Sequence, residues 1–250
     1  MAVNGKPMVI FVHGILGFNV LGLPKLGLAI RYFRGLHKSL KNLPVEAHFP
    51  TLPPVGRIAD RAQALADYIE ELGVDSVHLI GHSMGGLDCR YFTTHLDPKR
   101  RVRSVTTVAT PHHGTPLSDW IVTGRGLFPK LAGWVLGSGI EDLTTDALER
   151  FNTEVPDRED VEYNSYAGAR PIDEMPPWYR PWTRLIANRK GDNDSQVPVE
   201  SARWGQFIRE LRADHLELVG WSLALPSRTR QRPFDHIGLY HEIVKRLIYS

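Results

Sequence analysis

Cysteine occurs once in the 250 residues, as Cys89, so no intrachain disulfide can form. That scarcity favours a reducing compartment such as the cytoplasm and leaves secretion open, because a chain of this size can bury a core without cross-links. An excess of charge of one sign is also lacking. Thirty basic residues face 28 acidic ones, a formal net charge of +2, so nothing in the balance points to a nucleic-acid partner. The basic cluster Arg228, Arg230 and Arg232 is spaced by two and reads as a solvated loop. No apolar run approaches the roughly 18 residues of a membrane span. The stretch Val9 to Val12 is too short for a signal peptide and is followed at once by His-Gly. Internal repeats and domain linkers are absent too, so residues 1–250 read as one domain.

What is present is a core and an alternation. The chain is 42% hydrophobic and 23% charged, an ordinary soluble composition. Strands are predicted at Met8–Val12, Val45–Phe49, Ser76–Ile80 and Val102–Ala109, with weaker ones at Leu185–Ala187 and Leu216–Val219. Helices are predicted at Tyr32–Lys41, Ile58–Leu72, Leu87–Leu96 and Ile237–Tyr249. In Ile58–Leu72 the residues Ile58, Ala62, Leu65, Ile69 and Leu72 form one stripe, with Asp60, Arg61, Asp67 and Glu70 placed away from it. Strands alternating with helices predict an α/β fold, a mostly parallel sheet covered on both faces. The alternation stops between about 115 and 164, which predicts an insertion over one end of the sheet. Within it, Trp120 to Leu136 is apolar and carries three glycines.

The most informative run is Gly-His-Ser-Met-Gly at 81–85. With glycine at 22 of 250 positions, two glycines flanking a serine are weak evidence alone. Between a predicted strand and a predicted helix the frame becomes a nucleophile elbow, a turn so sharp that small residues must flank the serine. Ser83 is the candidate nucleophile. Cys89, six residues on, reads as a small core residue.

A serine hydroxyl needs a base within reach, and the base needs an acid to fix its tautomer. Chain order after an elbow is serine, acid, histidine. His236, in a loop before the last helix, fits best. His215, entering a predicted strand, and His241, on a helix face, fit less well. Asp194 and Asp192 share one turn-rich loop, and chemistry alone does not choose between them. An oxyanion hole needs two backbone N–H groups. Met84, after the nucleophile, supplies one, and Ile15, after His13-Gly14, supplies the other. His112 and His113 are adjacent and point apart on a strand end, with no third ligand evident, so no metal site is expected.

Four segments then resemble one family. Val-His-Gly-Ile-Leu-Gly-Phe at 12–18, Gly-His-Ser-Met-Gly-Gly at 81–86, Ala-Thr-Pro-His-His-Gly at 109–114 and Leu-Thr-Thr-Asp-Ala-Leu-Glu-Arg-Phe-Asn at 143–152 resemble bacterial triacylglycerol lipases of the α/β-hydrolase fold, in pattern the Pseudomonas and Burkholderia lipases. Asn193 to Pro198 is similar to that family's Asn-Asp-Gly-x-Val block, whose aspartate is the triad acid, which favours Asp194. In the family an aspartate two residues after the catalytic histidine binds a structural calcium. After His236 that position is Gly238, which predicts that calcium is not needed.

The resemblance implies a serine carboxylic-ester hydrolase of lipase or esterase type, working without a cofactor on an ester or lipid at a lipid–water interface. Two alternatives remain: a phospholipase, lipid-anchor deacylase or acyltransferase on the same scaffold, and a non-catalytic ligand-binding hydrolase fold.

Overall fold

Met8 to Val12 is apolar at every position, and all five residues are buried. A strand buried on both faces belongs at the centre of a parallel sheet. The computed structural model, which describes residues 6–17, 21–23, 28–124, 126–222 and 233–249, places it there. The Arg228–Arg232 loop lies outside the described residues, as do Phe18 of the first family segment and Arg125 of the glycine-rich stretch.

The strands are β1 (Met8–Val12), β2 (Leu21–Leu23), β3 (Leu28–Ile30), β4 (Glu46–His48), β5 (Val77–His82), β6 (Val102–Val108), β7 (Glu162–Gly168) and β8 (Gln206–Leu211). The helices are α1 (Leu36–Ser39), α2 (Ile58–Leu72), α3 (Met84–Tyr91), α4 (Pro116–Thr123), α5 (Leu127–Leu136), α6 (Thr145–Glu154), α7 (Arg180–Lys190), α8 (Val199–Ala202) and α9 (His236–Tyr249). Six strands form one sheet in the order β4-β1-β5-β6-β7-β8, and β2 and β3 make a separate hairpin. Every pairing in the large sheet is parallel. This is the parallel α/β sheet that the alternation predicts, and it fits the α/β-hydrolase fold that the resemblance implies.

Period-two alternation assigns each side chain of β1 to a layer. Val9 and Phe11 join Phe33, Leu36, Tyr240 and Ile243 under α1 and α9. Met8, Ile10 and Val12 join Leu65, Ile69, Cys89 and Phe92 under α2 and α3. A third cluster, with Ile58, Met84, Leu87, Ile121, Ile140 and Leu148, packs α4 and α6 onto the end of the sheet where α3 begins. The segment between β6 and β7 is therefore helical and sits over that end.

Several predicted elements fall elsewhere. Leu185–Ala187 lies inside α7, where Pro181 stands in the first turn and Thr183 and Ile186 are the buried positions. Three apolar residues do not distinguish a strand from a buried helical turn. Leu216–Val219 is a 3₁₀ turn, Glu217–Val219, and not a strand. The helix predicted over 32–41 shortens to α1 and a 3₁₀ turn at Leu40–Asn42. Arg61 is not on the solvent face of α2 but fully buried. It stands three residues after Ile58 and four before Leu65, which puts it on the buried stripe. Its Nε and Nη2 donate to Asp88 Oδ2 at 2.9 and 2.7 Å. Strands β7 and β8 have no counterpart in the sequence reading.

Candidate active site

Ser83 joins the end of β5 to the start of α3 with φ 56° and ψ −132°. A side chain in that left-handed region costs about 1–3 kcal/mol, so the surroundings must impose it. They do so by closeness. A Cβ on Gly81 would stand 2.4 Å from the Gly86 nitrogen, and one on Gly85 2.4 Å from the Val12 oxygen. From outside the turn, Ser83 N–H donates to Val108 O at 3.0 Å, and Thr110 Oγ1 donates to Ser83 O at 2.7 Å. The sequence frame and the backbone agree on an elbow.

Gly14 lies directly against the serine. A Cβ there would stand 2.8 Å from Ser83 Cβ and 3.2 Å from Ser83 Oγ. The loop is pinned from below, because Arg61 Nη2 donates to His13 O at 2.6 Å and Leu52 N–H donates to His13 Nε2 at 3.0 Å. Burial, then the nearby Arg61, lowers His13 to about 4, so the ring is a neutral acceptor at ordinary pH. Ile15 follows Gly14. Its side chain and that of Met84 meet at Gly139, where an added Cβ would stand 3.3 Å from the Met84 methyl and 3.4 Å from Ile15 Cδ1. Met84 is the first residue of α3, so its N–H has no partner within the helix. The two residues expected to donate to an oxyanion are thus brought together beside Ser83.

Asp194 sits in the loop between α7 and α8. Its Oδ1 accepts from Gln196 N–H at 3.0 Å and from Val197 N–H at 2.7 Å, which fixes the carboxylate and leaves Oδ2 free to point elsewhere. Oδ2 accepts from His215 Nδ1 at 2.7 Å. The backbones are joined as well, with His215 N–H donating to Asp194 O at 2.9 Å. Both residues are buried. Asp192, two positions away, is exposed and turns outward.

The expected histidine is therefore corrected. His236 is the first residue of α9, not a loop residue, and its Nε2 donates to Arg34 O at 2.7 Å. Its ring rests on Gly220, where a Cβ would stand 2.4 Å from Nε2. His215 takes its place beside the acid. It lies four residues past the end of β8, in a turn before the 3₁₀ segment. The sequence predicts a strand at 216–219 and none at β8, and so sets His215 at a strand entrance. The available signal was Asp-His in a turn directly after Gln206–Leu211.

His215 is also braced from behind. Glu217 Oε2 accepts from Asp214 N–H at 3.2 Å and pairs with Arg170 Nη2 at 2.8 Å. Arg170 N–H donates to Asn193 O at 3.2 Å, so one arginine ties the acid loop to the histidine loop. His112 faces Thr107 Oγ1 at 3.0 Å and stacks on Trp204, a role in packing. Cys89 is buried, and burial raises its thiol well above the usual value.

The group is covered. Ser83 is only 5% exposed. Over it, the 3₁₀ segment Gly137–Leu143 is tied to the start of α2: Arg57 Nη1 donates to Asp142 Oδ1 at 2.8 Å, and Ile58 N–H donates to Asp142 Oδ2 at 2.9 Å. On the outer side α5 turns Leu127, 84% exposed, and Trp134, 81% exposed, to solvent, together with Leu131 and Val135. Among the described residues no helix is long and apolar enough to cross a membrane.

Comparison with known proteins gives the same picture. Residues 44–233 match the model of the family described as alpha/beta hydrolase fold. The chain is 31% identical over 214 residues to triacylglycerol lipase 2 of Saccharomyces cerevisiae, covering 78% of this chain but only 64% of that protein. It is 28% identical to the triacylglycerol lipase of Pseudomonas fragi, covering 98% of this chain and 97% of that one. Its fold matches the mature lipase BlEst2 of Bacillus licheniformis with a TM-score of 0.73 at 20% identity, over 97% of this chain and 92% of the other.

Proposed function

We propose, for a chain that belongs to the alpha/beta hydrolase fold family, the hydrolysis of carboxylic esters of lipids through an acyl-enzyme on Ser83. The observation that carries this reading is the buried His215–Asp194 pair, 2.7 Å apart, whose imidazole lies 4.7 Å from the ring of His82, the residue before the elbow serine. Asp194 Oδ2 accepts the Nδ1 proton of His215, which leaves Nε2 as the basic nitrogen. Nε2 takes the Ser83 proton as Oγ attacks the ester carbonyl carbon. The carbonyl oxygen becomes an oxyanion, held by the N–H groups of Ile15 and Met84 with help from the positive end of α3. His215 then gives its proton to the departing alcohol. Water enters, loses a proton to His215, and attacks the acyl carbon. Collapse of the second tetrahedral intermediate releases the acid and restores Ser83.

The lipid part of the reading rests on α5. Four large apolar side chains on one face of a helix exceed what a surface segment ordinarily exposes, and a lipid–water interface is the environment that would take them. The glycerol-ester substrates named for the yeast and Pseudomonas fragi relatives are consistent with that environment.

Ser83→Ala tests the reaction. Hydrolysis of a soluble p-nitrophenyl ester and labelling by a serine-reactive phosphonate should both disappear, the rate falling on the order of 10⁴- to 10⁶-fold. A folded Ser83→Ala protein with activity close to wild type would overturn the reading.

A further inference from the structure

His215 is held at its edge by Asp194, and its face is held as well. The ring of His82, the residue before the nucleophile, lies 4.7 Å from it, centroid to centroid, at 47°. His82 is fully buried, and its Nδ1 lies 2.8 Å from the Tyr32 hydroxyl. Burial, then the adjacent His215, drives His82 well below its usual value, so the ring is neutral. Burial raises the Tyr32 phenol, so it keeps its proton. In the tautomer that carries the ring proton on Nε2, Tyr32 O–H donates and His82 Nδ1 accepts.

The same hydroxyl reaches the oxyanion loop. A Cβ on Gly14 would stand 2.9 Å from it, next to the 2.8 Å contact with Ser83 Cβ. The backbones of Tyr32 and Arg34 are each tied at one point to the segment that follows His215. Trp221 Nε1 donates to Tyr32 O at 2.9 Å while Trp221 N–H donates to Leu216 O at 2.9 Å. Arg34 N–H donates to Val219 O at 3.0 Å. One residue therefore touches, through its two ends, every part that must be aligned: the histidine turn, the nucleophile elbow and the Gly14 loop.

We propose that Tyr32 and His82 are positioning residues, with the Tyr32 hydroxyl acting through His82 to fix His215 and the Gly14 loop in one geometry about Ser83. The inference rests on the triad reading above. It also gives His82 a chemical reason to stay neutral. His215 becomes a cation as Ser83 attacks, and a second imidazolium stacked on it would oppose that charge.

The test compares wild type, Tyr32→Phe, His82→Asn and His82→Leu. For each, the fraction of molecules labelled at Ser83 by a p-nitrophenyl phosphonate gives the folded share. The labelling rate per labelled molecule, with kcat and KM on a soluble ester, gives alignment. Tyr32→Phe should keep Tm, the labelled fraction and KM near wild type. It should lose roughly tenfold to hundredfold in labelling rate and kcat, the scale of a misplaced reacting group. His82→Asn retains an acceptor for Tyr32 and should be faster than His82→Leu. Wild-type rates per folded molecule in Tyr32→Phe would overturn the proposal. If Tyr32→Phe does not fold, equal rates in the two His82 variants would overturn it. Absence of Ser83 labelling in wild type would instead overturn the triad reading itself.

Discussion

His215 Nδ1 donates to Asp194 Oδ2 across 2.7 Å, and His215 N–H donates to the carbonyl of the same aspartate across 2.9 Å. A side-chain bond alone leaves an imidazole free to swing about its own backbone. The second bond removes that freedom, so the acid and the base form one rigid unit carried by two loops.

The choice of carboxylate is testable on that basis. Asp194→Asn should lose several orders of magnitude in kcat, because an amide can present its N–H₂ to Nδ1 and so stabilise the wrong tautomer. Asp192→Asn should stay near wild type, since Asp192 is exposed and contributes a backbone oxygen to Val199 N–H. Initial rates on a soluble ester decide it, and a larger loss in Asp192→Asn would identify the other carboxylate as the acid.

The exposed stripe of α5 predicts interfacial behaviour. Burying one large apolar side chain is worth about 1.5–3 kcal/mol, roughly a tenfold to hundredfold gain in partitioning. Activity on a sparingly soluble ester should rise sharply above its solubility limit. Trp134→Ser with Leu127→Ser should blunt that rise while leaving the rate on dissolved ester unchanged. A smooth saturation curve through the limit would mark the helix as a fixed cover.

Calcium removal bears on the histidine loop. Gly238 follows His236, and there Asp235 Oδ1 accepts from Gly238 N–H at 2.9 Å and caps α9. With His215 as the base, the residue two positions later is Glu217, an acid. Its carboxylate already faces a cation, the guanidinium of Arg170 at 2.8 Å. Exhaustive chelation should therefore leave Tm and activity unchanged. Arg170→Ala, which strands a buried carboxylate, should cost about 3–5 kcal/mol of stability. A drop in Tm on chelation that added calcium reverses would show that an ion binds there.

Acid should destabilise the fold. Burial, the largest cause for each, lowers His13 to about 4 and holds His82 and His112 well below their usual value. Their contribution is complete above the unfolded value near 6.5 and is lost as pH falls towards the folded values. Asp88 and Asp214 oppose this: burial raises each to about 6, so what they contribute is present below 3.8 and lost as pH rises through 6. Near pH 5 the unfolded chain gains three protons on these rings while the native state holds two on these acids. One net proton gives a slope of about 1.4 kcal/mol per pH unit, with stability falling towards acid. Urea midpoints at pH 6 and pH 4.5 check the sign, and a higher midpoint at pH 4.5 would refute it.

What the sequence disclosed and what it hid have physical reasons. The sharp turn at Ser83 was legible because an elbow is a local object: its glycines and flanking apolar runs lie within a few residues. Ile58–Leu72 was legible to the residue because its stripe is long and periodic. Strand β7 was hidden because its buried positions include Asn164 and Ser165, and Ser165 is satisfied by exchanging hydrogen bonds with the Trp204 backbone. Strand β8 was hidden because it is the sheet's last strand, half-exposed, with Arg209 and Glu210 in its middle. Losing β8 removed the landmark that marks His215. His236, beside a clear helix, then looked the better placed of the two.

The central claim is that His215, not His236, is the base that works on Ser83. The direct measurement is kcat/KM for a soluble p-nitrophenyl ester with His215→Ala and His236→Ala, both confirmed folded by their melting curves. The account predicts a loss on the order of 10⁴-fold or more in His215→Ala and a rate close to wild type in His236→Ala. A near-normal rate in His215→Ala, or a collapse confined to His236→Ala, would contradict it.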